Sequence, residues 1–128
     1  MELLDYTTKA AYAPRQQPVF IRVNDPLIGW QSRPIRDLIM VRGDNGYSWL
    51  YWKDGSRHIA AYPVKHYESK LPESQYIRVH QNSIVNLDFI QKLHLTHKGP
   101  QISLTTGDKL PVSRRRWGFV KENLRHLL

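Results

Sequence analysis

Arg114-Arg115-Arg116 follows directly on Ser113 and precedes a stretch in which Trp117, Val120 and Leu124 recur at helical spacing. Ser113 suits an N-cap, so the three guanidinium groups would crowd the first turn of a helix. There the macrodipole is positive and stability alone favours Asp or Glu. The three cations also repel one another, and an external anion at the free N–H groups relieves both strains. Arginine's planar fork grips a phosphate, or the O6 and N7 acceptors of guanine, with two parallel bonds. The plainer alternative is a solvated charged face, with Arg116 lying over the core or pairing with Glu122. The residues alone leave both readings open.

A second polar group, Gln81-Asn82-Ser83, follows the Arg78 and His80 stretch, and glutamine or asparagine can bond the N6 and N7 edge of adenine. By itself it is equally a polar turn between strands. The loop Gly43 to Ser48 reads as a turn that a rigid scaffold could use for recognition. Trp30, Trp49, Trp52 and Trp117 could stack on bases or fill a core. Catalysis finds little support, and the chain is not expected to be an enzyme or to carry a cofactor or metal. It has no phosphate-cradling glycine loop and no nucleophile elbow, and nothing pairs Asp37, Asp44 or Asp88. His94 and His97 stand three apart on a strand-like stretch, which sends them to opposite faces.

These groups need elements to position them. Val19 to Val23 reads as a strand closed by Asn24-Asp25-Pro26, and Ile35 to Val41 as another that stops at Gly43-Asp44-Asn45-Gly46. Tyr47 to Trp52 and Arg57 to Tyr62 flank Lys53-Asp54-Gly55-Ser56, the clearest hairpin signal in the chain. Val64, Tyr67 and Leu71 predict a short helix with Pro63 at its first position and Pro72 as its stop. Tyr76 to His80 alternates, so Ile77 and Val79 should face inward and Arg78 and His80 outward. Ile84 to Ile90, Lys92 to Thr96 and Gln101 to Thr105 follow as further strands, with a hairpin at Thr106-Gly107-Asp108. The fold class is therefore mainly β: short antiparallel sheets, one short connecting helix and a short C-terminal helix. Residues 1–17 read as a tail or linker, and residues 18–128 as one domain.

The chain has 128 residues, 41% hydrophobic, which suits a single core. Its 19 Lys and Arg against 11 Asp and Glu give a net charge of +8, a balance that attracts nucleic acid or an anionic membrane. No run approaches the roughly 20 apolar residues of a spanning helix. Acidic Glu2 and Asp5 sit where a signal peptide needs positive charge, and the absence of cysteine excludes disulfides and thiol chemistry. The expected location is the cytoplasm.

Taken together, Tyr76-Ile77-Arg78-Val79-His80-Gln81-Asn82-Ser83-Ile84-Val85-Asn86-Leu87-Asp88-Phe89-Ile90 and the later Leu104-Thr105-Thr106-Gly107-Asp108-Lys109-Leu110-Pro111-Val112-Ser113-Arg114-Arg115 resemble the two signatures of LytTR-type bacterial DNA-binding domains. A weaker match at Ile35 to Val41 and Asn45-Gly46-Tyr47 extends the resemblance over roughly Val19 to Leu127. It implies an elongated, mostly β fold whose inter-strand loops enter successive major grooves of double-stranded DNA, on paired direct repeats upstream of regulated genes. Carried over by position, the base contacts fall at Ser48, Gln81 and Arg114. Backbone contacts or loop support fall at Tyr47, Arg78, His80, Asn82, Asn86, Ser113, Arg115, Arg116 and Lys121. This sequence has Gln81 where the family often has Arg or Asn, and Asn82-Ser83 where it has serine and an aromatic residue.

The resemblance thus implies a sequence-specific transcriptional regulator that acts as a homodimer on DNA or under an upstream signalling partner. With only a short segment before Val19, a stand-alone regulator without a receiver domain is expected. The competing readings are a sequence-neutral nucleic-acid binder stacking bases on Tyr47, Trp49 and Trp52, and a protein or anionic-membrane interaction module.

Overall fold

The computed structural model of the chain describes residues 20–128. The tail expected at residues 1–17, and Val19 of the first strand, lie outside the described residues. Strand β1 (Phe20–Asp25) pairs with β2 (Gly29–Pro34) as a two-stranded hairpin. A single 3-10 turn (Ile35–Asp37) leads into β3 (Leu38–Asp44), β4 (Tyr47–Trp52) and β5 (Arg57–Ala60). Helix α1 (Val64–Glu68) connects these to β6 (Tyr76–His80) and β7 (Ser83–Asn86), completing an antiparallel sheet in the order β5-β4-β3-β7-β6. A second 3-10 turn (Leu87–Phe89) opens the three-stranded sheet β8 (Ile90–Thr96), β9 (Gly99–Leu104) and β10 (Lys109–Pro111). Helix α2 (Arg114–Asn123) and a last 3-10 turn (Arg125–Leu127) follow. Among the described residues no helix is long and apolar enough to cross a membrane.

Strand alternation, reset in β3 by a bulge between Leu38 and Met40, divides the apolar residues of the five-stranded sheet between two cores. On one face Leu38, Val41, Leu50, Trp52 and Ile84 pack with Val64, Tyr67 and Leu71 around α1, and with Ile21 and Val23 of the hairpin. On the other, Met40, Ile77, Val79 and Val85 meet Leu93, Ile102, Leu104 and Leu110 of the second sheet and Val120 and Leu124 of α2. β7 is consequently buried along its whole length, which places its flanking turn on a rigid centre. Each buried Leu, Ile or Val contributes about 1.5 to 3 kcal/mol.

The mainly β architecture with two short helices agrees with the sequence, as do the bounds of β4 and β6 and the hairpin at Gly55, where φ is 90°. Other elements differ. β2 was not anticipated, because Gly-Trp-Gln-Ser-Arg-Pro carries no apolar alternation; pairing with β1 makes it a strand. The strand expected over Ile84 to Ile90 is broken at Asn86, whose side chain accepts a hydrogen bond from the Asp88 amide at 2.9 Å and caps the 3-10 turn. Ile35 to Asp37 likewise turns before β3 begins. Pro63 is the N-cap of α1 rather than its first residue, and His97 lies in a turn beyond β8 while His94 bonds the Ser103 hydroxyl.

The hairpin is fastened to the main sheet by Asp25, whose carboxylate lies 3.0 Å from Nε2 of buried His58 on β5. That bond, and then the Leu27 amide, hold the Asp25 carboxyl below its usual value of 3.8. A carboxylate depressed in the folded state stabilises above its unfolded pKa, and the contribution disappears as pH falls through the folded value. Protection of β1 amides from hydrogen exchange is therefore expected to drop below pH 3.8 relative to neutral pH. In Asp25→Asn that pH-dependent drop should be absent; an unchanged drop would contradict the fastening.

Candidate nucleic-acid interface

Three chain reversals meet near one end of the five-stranded sheet. The β3–β4 turn (Gly43 to Tyr47), the β6–β7 turn (Gln81, Asn82) and the start of α1 (Pro63 to Lys65) line a shallow cavity of about 160 Å³, with Arg78 at its edge. The β3–β4 turn is tight enough to need a left-handed residue, and Asn45 takes φ 51°. The other turn is aimed by β6, which bulges between Arg78 and His80 before pairing again with Ser83. Arg78 then bonds the Gln81 carbonyl at 2.6 Å and Glu68 of α1 at 2.6 Å, and His80 Nδ1 accepts from the Asn82 amide at 3.2 Å. With its backbone held this way, the side chain of Gln81 stands in solvent.

Helix α2 begins beside the same strand. The Ser113 amide bonds the Val79 carbonyl at 2.9 Å, which fixes the N-cap two residues before Gln81 along the chain of β6. The Ser113 hydroxyl accepts from the Arg116 amide at 3.2 Å. Arg114 and Arg115 lie exposed on the first turn, and among the described residues neither has an acidic partner. That turn contains no acid, so the positive end of the helix and two unpaired cations coincide.

The remaining sites fall elsewhere. Ser48 is 0% exposed and its hydroxyl donates to the Tyr62 carbonyl at 2.6 Å, so it ties β4 to the segment that follows β5 and does not present its side chain to solvent. The register of β4 explains this: Ser48, Leu50 and Trp52 share the inward face, while Tyr47, 51% exposed, points outward. Arg78 is bonded to Glu68 and to the carbonyls of His80 and Gln81, so it braces the turn. Arg116 is half-buried and lines a groove with Phe119, Arg78 and Glu68; the acid Glu122 pairs with Arg125 instead. Lys121 is exposed, with its ammonium 5.7 Å from the centre of the Trp117 ring. Asn86 is fully buried at the opposite end of β7 from the turn. Trp52 is 1% exposed and Arg57 covers Trp49 at 4.6 Å, so these two rings are not open platforms for bases.

The turn Gly43 to Tyr47 falls within the loop that the sequence marks for recognition, and its Asn-Gly pair favours positive φ. Lys65 carries no such signal, because only the folded chain brings it to the turns.

The β scaffold thus carries two polar turns at one end of its main sheet, with a basic helix start beside β6. Residues 31–125 match the family model described as the LytTr DNA-binding domain. The chain belongs to that family. Similar curated proteins include the heme-containing CO-sensing transcriptional regulator RcoM 2 of Paraburkholderia xenovorans (strain LB400), 28% identical over 70% of this chain and 34% of that protein. The sensory transduction protein LytR of Staphylococcus epidermidis (strain ATCC 12228 / FDA PCI 1200) is 39% identical over 48% of this chain and 25% of its own length. The chain thus spans about a third or less of these relatives. Among solved structures, a LytTr DNA-binding domain from Bacillus cereus superposes with a TM-score of 0.74 at 20% identity, covering 84% of this chain and 98% of that one. The likeness is one of fold.

Proposed function

We propose that residues 18–128 form a sequence-specific double-stranded DNA-binding domain of a cytoplasmic transcriptional regulator, which inserts its turns and the start of α2 into successive major grooves. The observation that carries this reading is the convergence of the two turns with the start of α2 along β6, where Arg114 and Arg115 have no acidic partner among the described residues. The name of the similar RcoM 2, a transcriptional regulator, supports regulation as the purpose of binding.

In this reading Arg114 and Gln81 read bases, and Asn45 with Tyr47 makes the upstream contact in place of the buried Ser48. Arg115, Lys121 and Lys65 hold phosphates. His80, Arg78, Asn82 and Ser113 shape the turns, and Asn86 supports the scaffold behind them. Two copies occupy paired direct repeats, under the control of a signalling partner.

Fluorescence anisotropy at several salt concentrations tests the division of labour. Arg115→Ala should weaken binding to every duplex alike and lower the slope of log K against log salt by about 1. Single-stranded DNA of the same sequence should compete poorly at matched salt. Equal affinity for single and double strands would overturn duplex reading.

A further inference from the structure

Gly43 sits where the two turns and α1 come closest. We infer that it is a positioning residue, whose missing side chain sets the separation between the β3–β4 and β6–β7 turns and hence which bases the two can read together. This inference rests on the duplex-reading function proposed above.

The backbone shows how the turns are joined. β3 and β7 pair up to Arg42 and Ser83, and one rung further the Gly43 amide donates to the Asn82 carbonyl at 2.9 Å. The sheet ladder therefore runs on into the second turn and holds it against the first. On the other side stands Val64, the first residue of α1. A Cβ at position 43 would lie 2.8 Å from Val64 Cγ2 and 3.3 Å from Asn82 Oδ1. Gly43 is not among the residues with positive φ, so the requirement is for space and not for an unusual backbone.

The exposed Asn82 side chain can turn aside, but Val64 does not yield cheaply. Val64 is β-branched, with one strongly preferred rotamer in a helix, and it is buried in the core under α1. Helix α1 is in turn fixed to the second turn through Glu68 and Arg78, which grips the Gln81 carbonyl. A methyl group at 43 must therefore push the β3–β4 turn from Asn82, or push α1 and carry the Arg78 brace with it. Either shift alters the geometry between Asn45 and Gln81 while leaving α2 and Arg114 in place.

The test uses the whole chain, with Gly43→Ala, Gly43→Ala/Val64→Ala and Val64→Ala. Each is melted, then titrated against duplexes carrying every single-base change in the wild-type site. Gly43→Ala should bind the wild-type site about tenfold more weakly, with the change confined to bases beneath the two turns. Preference at the base read by Arg114 should persist. Adding Val64→Ala, which opens the space, should restore the wild-type preference even though it lowers the melting temperature. A uniform loss on all duplexes that follows the melting temperature, or an unchanged preference in Gly43→Ala, would overturn the inference. If the single variant does not fold, the double variant must share the preference of Val64→Ala; a different one overturns it. A wild-type chain with no duplex preference removes the underlying function itself, and is seen before any variant is made.

Discussion

Arg114→Ala is expected to cost about 1 to 3 kcal/mol on the preferred duplex and to flatten the choice of base at one position, with no comparable loss on unrelated DNA. The expectation follows from position and company. Arg114 is the first residue of α2, exposed and without an acidic partner among the described residues, so its removal leaves no buried group unpaired and the melting temperature should hold. Arg115 shares that turn and charge, yet its replacement is expected to act on all sequences equally. Anisotropy titrations of both variants on matched and scrambled duplexes separate the roles; a loss at Arg114 that ignores sequence would remove it as a base reader.

The largest effect on stability is expected away from the proposed interface. Asn86 is 0% exposed. Its amide donates to the Leu38 carbonyl at 3.0 Å, and its oxygen accepts from the Asp88 amide at 2.9 Å and from Gln75 Nε2. Beside it the buried hydroxyl of Tyr76 donates to the carbonyls of Ile35 and Leu38, and burial raises that phenol far above its ordinary pKa. The cluster ties the first 3-10 turn to β7. Asn86→Ala should therefore cost about 2 to 4 kcal/mol in denaturant unfolding, since it strips several buried bonds and leaves a void. Tyr76→Phe should cost about 1 to 2 kcal/mol, and the double variant less than the sum because both side chains serve Leu38. Below its melting transition, Asn86→Ala should retain the wild-type base preference. A changed preference would place Asn86 in the interface.

Much of this was legible because it is local. The Asp-Gly hairpin, the alternation of Tyr76 to His80 and the Ser113 cap each depend on a few adjacent residues, and each appears where the sequence puts it. The face of Ser48 was only half legible: Ser48, Leu50 and Trp52 alternate, but the sequence left Trp52 open between stacking and core, and its burial in the fold is what carries Ser48 inward. The family position alone suggested otherwise. What lay beyond reach depends on pairing across the chain. β2 becomes a strand because β1 is beside it. Arg78 is an ordinary outward cation until α1 brings Glu68 to it. Gly43 matters only because α1 and the second turn close on it.

The claim that these turns and the start of α2 read duplex sequence is met most directly by selecting bound duplexes from a random pool with the wild-type chain and Arg114→Ala in parallel. The wild-type chain should enrich a short motif, and Arg114→Ala should enrich the same motif with one position degenerate. Pools that stay random for both, while binding remains tight at low salt, would contradict the account.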